Sequence, residues 1–202
     1  ALSETLLSLK KRGRLLKASY EAIKHQRVDV ITVALKQIGS ALARTQLNDA
    51  VNCLAFGAGD PVKGVPEAEE IAAAGSSFTY DDLLKLWNAF KNFEMNVLLV
   101  SPGTFRELMG LKELRESTGG DNFISGTGMI TPFGAKLFRS DAVEDDHVIG
   151  LDRRFALEMV TAGGVIVEYD KLIDTQLERA AITCTYGFSK LFPDAVKVLV
   201  RS

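Results

Sequence analysis

Histidine and cysteine are the side chains with which a chain could most readily hold a metal or attack a substrate. There are two of each, His25, His147, Cys53 and Cys184, spread over the whole 202 residues. Zinc sites gather such ligands at short, repeated spacings, and a disulfide framework needs more thiols placed closer together. Cys53 and Cys184 each stand among apolar neighbours and read as buried free thiols. Cys184 with either histidine could in principle make a nucleophile pair. Its place between Thr183 and Thr185, inside a β-rich run, favours packing instead. Asp145-Asp146-His147 reads as a solvated turn, and the carboxylates form no acid/base couple. No serine sits in a Gly-x-Ser-x-Gly elbow. No Gly-Lys pair occurs, so the phosphate-cradling loop is missing. Gly57-Ala58-Gly59 lacks a third glycine and follows a helical pattern, and Gly126-Thr127-Gly128 makes no better dinucleotide site. The expectation is therefore no catalytic residue, no metal and no cofactor.

Composition narrows the classes further. Hydrophobic residues make up 47% and charged residues 25%, an ordinary globular balance. The formal net charge of −2 supplies no global basic field for nucleic acid. The basic runs at Lys10 to Arg14 and Arg153-Arg154 are not interleaved with aromatics, as a single-strand binding surface would be. No apolar run approaches the roughly 20 residues of a membrane span. No signal peptide opens the chain, and Ala1 in place of Met suggests a trimmed or processed product.

The elements that carry these residues begin with one long helical pattern, residues 17–56. Ile31, Ala34, Leu35, Ile38, Ala41 and Leu42 share one side of it, whereas beyond Thr45 that side turns polar with Asp49 and Asn52. Leu47, Val51 and Leu54 then lie about half a turn away, so the two halves should lean on different neighbours. Unbroken, about 40 residues give a rod about 60 Å long and an elongated fold; a break at Gly39-Ser40 would give two ordinary helices. Residues 1–16 are short and basic, either a solvated strand or turn or the stump of an arm that pairs with a neighbouring chain. Gly57, Gly59, Pro61, Gly64 and Pro66 mark a stop and a loop. Residues 67–74 suggest at most a turn of helix. Thr79 and Asp82 make an N-cap and acidic first turn for a helix over 80–92. Val97 to Val100 suits a strand buried on both faces, followed by a helix over 104–116 capped by Ser101 or Thr104. Residues 117–128 form a polar, Gly-rich loop, and short strand signals occupy 129–143. From Val148 the chain is β-dominated, with a hairpin over 155–169 turning at Gly163-Gly164, a strand over 175–186 and a last strand over 195–200.

Several stretches together are familiar. Tyr20-Glu-Ala-Ile23, Val33-Ala-Leu-Lys-Gln-Ile-Gly-Ser-Ala-Leu-Ala-Arg-Thr-Gln46 and Ala50-Val-Asn-Cys-Leu-Ala-Phe-Gly-Ala-Gly-Asp60 resemble the spine helix of tailed-phage major capsid proteins and the loop after it. Phe78-Thr-Tyr-Asp-Asp-Leu-Leu-Lys-Leu-Trp-Asn-Ala-Phe90 and Met95-Asn-Val-Leu-Leu-Val-Ser-Pro102 are similar to that family's axial domain. Val148-Ile-Gly-Leu-Asp-Arg-Arg-Phe-Ala-Leu157, Tyr169-Asp-Lys-Leu-Ile173 and Tyr186-Gly-Phe-Ser-Lys-Leu191 resemble its C-terminal portion. The order and spacing of these blocks carry the resemblance, from Arg12 onward.

The resemblance implies an α+β capsid subunit with a long spine helix, a peripheral domain and an axial domain. It implies a peripheral domain of residues 1–77 and 150–188, with spine helix 17–56 and residues 1–16 as the stump of an extended loop. The axial domain would hold residues 78–149 and 189–202. Copies of the chain would join as pentamers and hexamers into an icosahedral shell enclosing DNA without reading its sequence. Scaffold, portal or decoration proteins are implied partners, and no membrane. The implied place is the virion, and the host bacterial cytoplasm during assembly. Family members carry an N-terminal arm and an extended loop before the spine helix; their lack here suggests a fragment or a degenerate prophage copy, monomeric or weakly associated by itself. For subunit contacts the candidates are Arg12, Arg14, Lys17, Arg115, Glu116, Arg153 and Arg154, each of which reads equally well as plain solvated surface. Two alternatives stay open: an encapsulin-like nanocompartment shell protein, and an enzyme of unrecognised type using His25, His147 or Cys184.

Overall fold

The structure is a computed structural model that describes residues 7–24, 30–57, 67–117 and 129–201. His25, and residues 58–66 and 118–128 of the loops expected over 57–66 and 117–128, lie outside the described residues. Along the chain the elements are β1 (Lys10–Ser19), α1 (Tyr20–Lys24), α2 (Val30–Phe56), β2 (Glu69–Ala72), α3 (Tyr80–Asn88), β3 (Val97–Val100), α4 (Pro102–Met109), α5 (Lys112–Ser117), β4 (Met129–Ile130), β5 (Lys136–Arg139), β6 (His147–Leu151), β7 (Leu157–Thr161), β8 (Ile166–Leu172), β9 (Leu177–Lys190) and β10 (Val196–Val200). They fall into two units: residues 1–49 with 159–188, and residues 50–158 with 189–202.

In the first unit β9 is the central strand. β1 runs antiparallel along one edge, from Lys10 opposite Tyr186 to Ser19 opposite Leu177. This pairing corrects the expected start of the long helix at residue 17. A ladder of ten cross-strand partners holds residues 17–19 extended, and such tertiary pairing outweighs the small differences in helix propensity. Ser19 then caps α1, its Oγ accepting from the Ala22 N–H at 3.2 Å. Side chains alternate along β9, so Ala180, Ile182, Cys184 and Tyr186 are buried. Ile182, Cys184 and Tyr186 pack with Leu42, Leu35 and Ile38, the apolar stripe of the first part of α2. The helix passes through Gly39 without a break.

The expected hairpin over 155–169 is also corrected. β8 pairs with β9 on the edge opposite β1, Ile166 lying across from Thr183, and β7 lies on that same side. The Ala162 N–H donates to the Thr185 carbonyl at 3.0 Å. The chain thus advances from 162 to 166 while β9 advances from 185 to 183, which leaves two extra residues on the outer strand. Gly163, at φ 79, takes up this bulge. β7 and β8 are successive parts of one edge strand rather than a pair.

The second unit is a six-stranded mixed sheet in the order β2-β10-β6-β3-β5-β4. Both faces are covered. Leu98, Val100, Val148 and Leu199 turn to one side, where Leu83 and Leu86 of α3, Leu108 of α4 and Leu114 of α5 meet them. Val97, Ile149, Leu151, Val196 and Val198 turn to the other, against Val51, Leu54 and Ala55 at the end of α2. The change of face expected near Thr45 is therefore real: the two parts of α2 serve separate cores. A Cβ at Gly150 in β6 would stand 2.8 Å from the Met95 sulfur, so a larger residue there would push the Met95 side chain aside.

Three local expectations change here. Residues 69–72 form strand β2, parallel to β10, instead of a turn of helix, because the edge of β10 supplies backbone partners that an isolated alanine-rich turn lacks. α3 ends at Asn88 with Ala89 as its C-cap, short of residue 92. The helix expected over 104–116 starts earlier, with Ser101 as N-cap and Pro102 in the first turn. It stops at Gly110, and α5 follows as a separate helix.

Candidate functional site

Of the residues that could do chemistry, Cys184 is a buried free thiol whose polar neighbour is Gln46, the amide nitrogen 3.8 Å from sulfur. Cys53 is likewise buried and unbridged. His147 is buried on β6, its Nδ1 2.6 Å from Asp146 Oδ1 and its ring edge-on to Phe56. With Glu144 it forms a small cluster whose ligand atoms lie within 4.8 Å of one another, two exposed carboxylates beside one imidazole. That grouping is a hydrogen-bonded cluster at the start of β6, and exposed acidic groups of this kind are common without a metal. Asp145, from the same sequence triplet, is exposed, and its carboxylate accepts from the Ser101 hydroxyl that caps α4.

The seven candidate contact residues have different fates. Arg12 is committed within its own unit. Its Nη2 lies 3.0 Å from Asp49 Oδ1, and the Tyr186 hydroxyl donates to Asp49 Oδ2 at 2.7 Å. Burial, reinforced by the Asp49 hydrogen bond, pushes the Tyr186 phenol up to about 12. The Asp49 hydrogen bond and charge raise the Arg12 guanidinium as well. Arg14 and Lys17 are exposed on β1.

In the second unit Arg115 and Glu116 are exposed on α5, Glu116 3.9 Å from Lys112. Arg154 is anchored by Asp152, a residue that sequence reasoning passed over. Asp152 is fully buried and accepts from the Arg154 N–H (3.1 Å), Nε (3.1 Å) and Nη2 (2.9 Å). It also accepts from the Asn96 side chain at 2.8 Å and the Glu94 N–H at 3.2 Å. The Arg154 hydrogen bonds, ahead of burial, hold its carboxyl far below the ordinary carboxylate range. Arg154 is thereby set over the Phe155 ring, 5.4 Å from its centroid. Phe155 meets Phe93 at 5.7 Å and Phe192 at 6.0 Å between ring centroids, Phe93 and Phe192 lie 5.5 Å apart, and Arg153 is exposed. Next to this cluster a cleft of about 400 Å³ is lined by Trp87, Phe90, Phe93 and Phe133. The one sequence signal for this surface was an acid immediately before a double arginine.

The second missed surface is the β7–β8 edge. Every residue from 159 to 171 is exposed, including Met159, Val160, Val165, Ile166, Val167 and Tyr169. Exposed apolar side chains in such continuity mark contact surfaces. Among the described residues, then, the arrangement offers anchored arginines, surface aromatics and an open strand edge, features of a molecule that binds other proteins.

A family model described as phage capsid protein matches residues 3–195. The chain belongs to the phage capsid protein family. This capsid chain has the fold of solved shells at low sequence identity. The capsid of a native GTA particle computed with C5 symmetry is similar at TM-score 0.76 and 13% identity, covering 97% of this chain and 73% of that one. Microbacterium phage Oxtober96 gives TM-score 0.74 at 15% identity, with 97% and 73% covered. The holo-SrpI encapsulin complex from Synechococcus elongatus PCC 7942 gives 0.71 at 15%, with 95% and 73% covered. No curated protein matches. The α+β capsid fold expected from sequence is the fold observed, and the capsid chain is a structural subunit of a phage shell.

Proposed function

We propose that this chain is the major coat subunit of a tailed-phage or prophage head. It works by binding copies of itself, as pentamers and hexamers closing into an icosahedral shell around DNA, and catalyses no reaction. The observation that carries this reading is the capsid family match over residues 3–195, joined to two exposed surfaces rich in apolar and cationic side chains. In this reading the unit containing β1 and β9 serves as the peripheral domain and the unit containing the six-stranded sheet as the axial domain. Arg14, Lys17, Arg115, Glu116 and Arg153 contribute contacts directly. Arg12 and Arg154 contribute through the exposed part of guanidinium groups held by Asp49 and Asp152. Scaffold, portal and decoration proteins are further partners, and assembly takes place in the host cytoplasm before the virion forms.

The test is electron microscopy and sedimentation of the full-length gene product under assembly conditions, with the contents of any particle extracted. Closed shells holding nuclease-protected DNA support the reading. A strictly monomeric protein under all conditions overturns it. Closed shells holding a protein cargo and no DNA would instead establish the encapsulin-like alternative, which the SrpI likeness keeps in view.

A further inference from the structure

The sheet of the first unit has two outer strands, β1 on one side of β9 and β7–β8 on the other. Among the described residues, each pairs with β9 alone. The β7–β8 edge is strongly apolar: Tyr169 is 70% exposed and Ile173, at its end, 81%. No proline interrupts residues 157–175. Lysines on an edge turn away a second basic strand, so the lysine-rich β1 edge accepts only a strand of opposite charge.

The two edges carry opposite charge. β1 holds Lys10, Lys11, Arg12, Arg14 and Lys17 and no acid. Residues 165–174 hold Glu168, Asp170 and Asp174 against Lys171. Pairing β1 with β1 between copies would set cations against cations, and pairing β8 with β8 would set acids against acids. β1 against β8 brings unlike charges together. Register agrees with this choice. Leu15 and Lys17 stand opposite Ala181 and Arg179, and Glu168 and Asp170 stand opposite the same two residues from the other side. All four therefore share the sheet face turned away from α2.

We propose that β1 of one subunit pairs with the β7–β8 edge of the next, so that this sheet continues from copy to copy. This rests on the shell-subunit reading given above. Both strands are antiparallel to β9 and hence parallel to each other, so the continuation is a parallel pairing. The contact joins two different surfaces, and such contacts close into rings or propagate. Leu15 and Ile166, both more than half exposed, come under cover at the junction.

Two charge reversals test this, Lys11→Glu with Lys17→Glu, and Glu168→Lys with Asp170→Lys, each checked for folding by circular dichroism. Assembly is read by sedimentation velocity and electron microscopy under the conditions that assemble the unaltered chain. Each variant alone should lose assembled material by at least about tenfold, equivalent to about 1.4 kcal/mol per contact. An equimolar mixture should recover it, because each variant then presents an edge the other can accept. Variants that assemble like the unaltered chain, or a mixture no better than its parts, overturn the edge pairing and leave the shell reading standing. Failure of the unaltered full-length gene product to assemble under any condition overturns the shell reading. A separate Leu15→Cys with Glu168→Cys chain is oxidised in either case. A ladder of cross-linked dimers, trimers and higher species supports the pairing, and monomers alone, or cross-links to a different protein only, overturn it.

Discussion

The two units solve the problem of burying a sheet in opposite ways. In the unit of residues 50–158 and 189–202, strands β3, β6 and β10 are covered on both faces by two separate apolar clusters. In the unit of residues 1–49 and 159–188, one face of β9 rests on α2 and residues 159–171 of the strand beyond it are exposed. The first arrangement completes its core from its own chain. The second leaves apolar surface open, as expected of a subunit whose remaining contacts come from its neighbours. The contrast separates residues that hold this chain together from residues that hold chains to one another.

The largest expected effect lies in the doubly covered sheet. Leu98→Ala removes a fully buried side chain at its centre and should destabilise that unit by about 4 kcal/mol. Trp87 is the sole tryptophan and belongs to this unit, so denaturant unfolding followed by its fluorescence measures the loss. Met159→Ala, on the exposed edge of the other unit, should cost under about 0.5 kcal/mol when denaturant unfolding of the whole chain is followed by far-UV circular dichroism. Equal losses would erase the contrast between the units.

Next comes the buried acid of the same unit. Asp152→Ala strands the Glu94 N–H, the Asn96 amide and Arg154 together, and about 3 kcal/mol should be lost. Acid should act in the same direction. The Asp82 carboxyl, fully buried in the first turn of α3, is lowered to about 2 against the opposing effect of burial, by hydrogen bonds from Thr79 and Lys85. A lowered carboxylate contributes stability that is complete above its unfolded value near pH 4 and disappears as pH falls toward about 2. Thermal midpoints measured from pH 5 to pH 2 should drop across that window, and Asp82→Asn should flatten the drop.

These sites also show what could be read in the sequence and what could not. Val97 to Val100 was legible because a strand buried on both faces needs no alternation. The Thr79 cap was legible because its partner, Asp82, lies three residues away. The change of face in α2 was legible because 3.6-residue periodicity is local. The start of α2 was not, since β1 is held by β9, more than 150 residues later in the chain. β2 was hidden for the same reason, its partner β10 being near the other end. Asp152 carried no local sign of burial, and so Arg154 could be named but not its anchor. The apolar run from Val165 to Tyr169 reads locally as one arm of a hairpin, although its one described neighbour is β9.

A smaller effect belongs to the other unit. Tyr186→Phe removes a hydrogen bond to Asp49 while leaving the ring in place, and should cost about 1.5 kcal/mol. The phenol is raised to about 12, so its contribution is complete below pH 10 and is lost as pH rises from 10 toward 12. Amide hydrogen exchange of β9 and near-UV circular dichroism should record that alkaline loss in the unaltered chain, and the variant should lack it.

The smallest expected effect bears on the edge strand itself. Gly163 and Gly164 are adjacent, and a Cβ added at either would meet nothing within 4 Å. Packing therefore cannot distinguish them. Gly163 alone has the left-handed backbone, φ 79. Gly163→Ala should cost about 1 kcal/mol through that conformation, whereas Gly164→Ala should be neutral or slightly stabilising by restricting the unfolded chain. Exchange protection along β8 and β9 measures the difference. If both substitutions are silent, the bulge between Ala162 and Ile166 is not held in place, and the outer strand can slide along β9. An edge free to slide would present no fixed register to a neighbouring subunit, so this modest pair of variants tests whether the open side of the molecule is as well defined as its covered one.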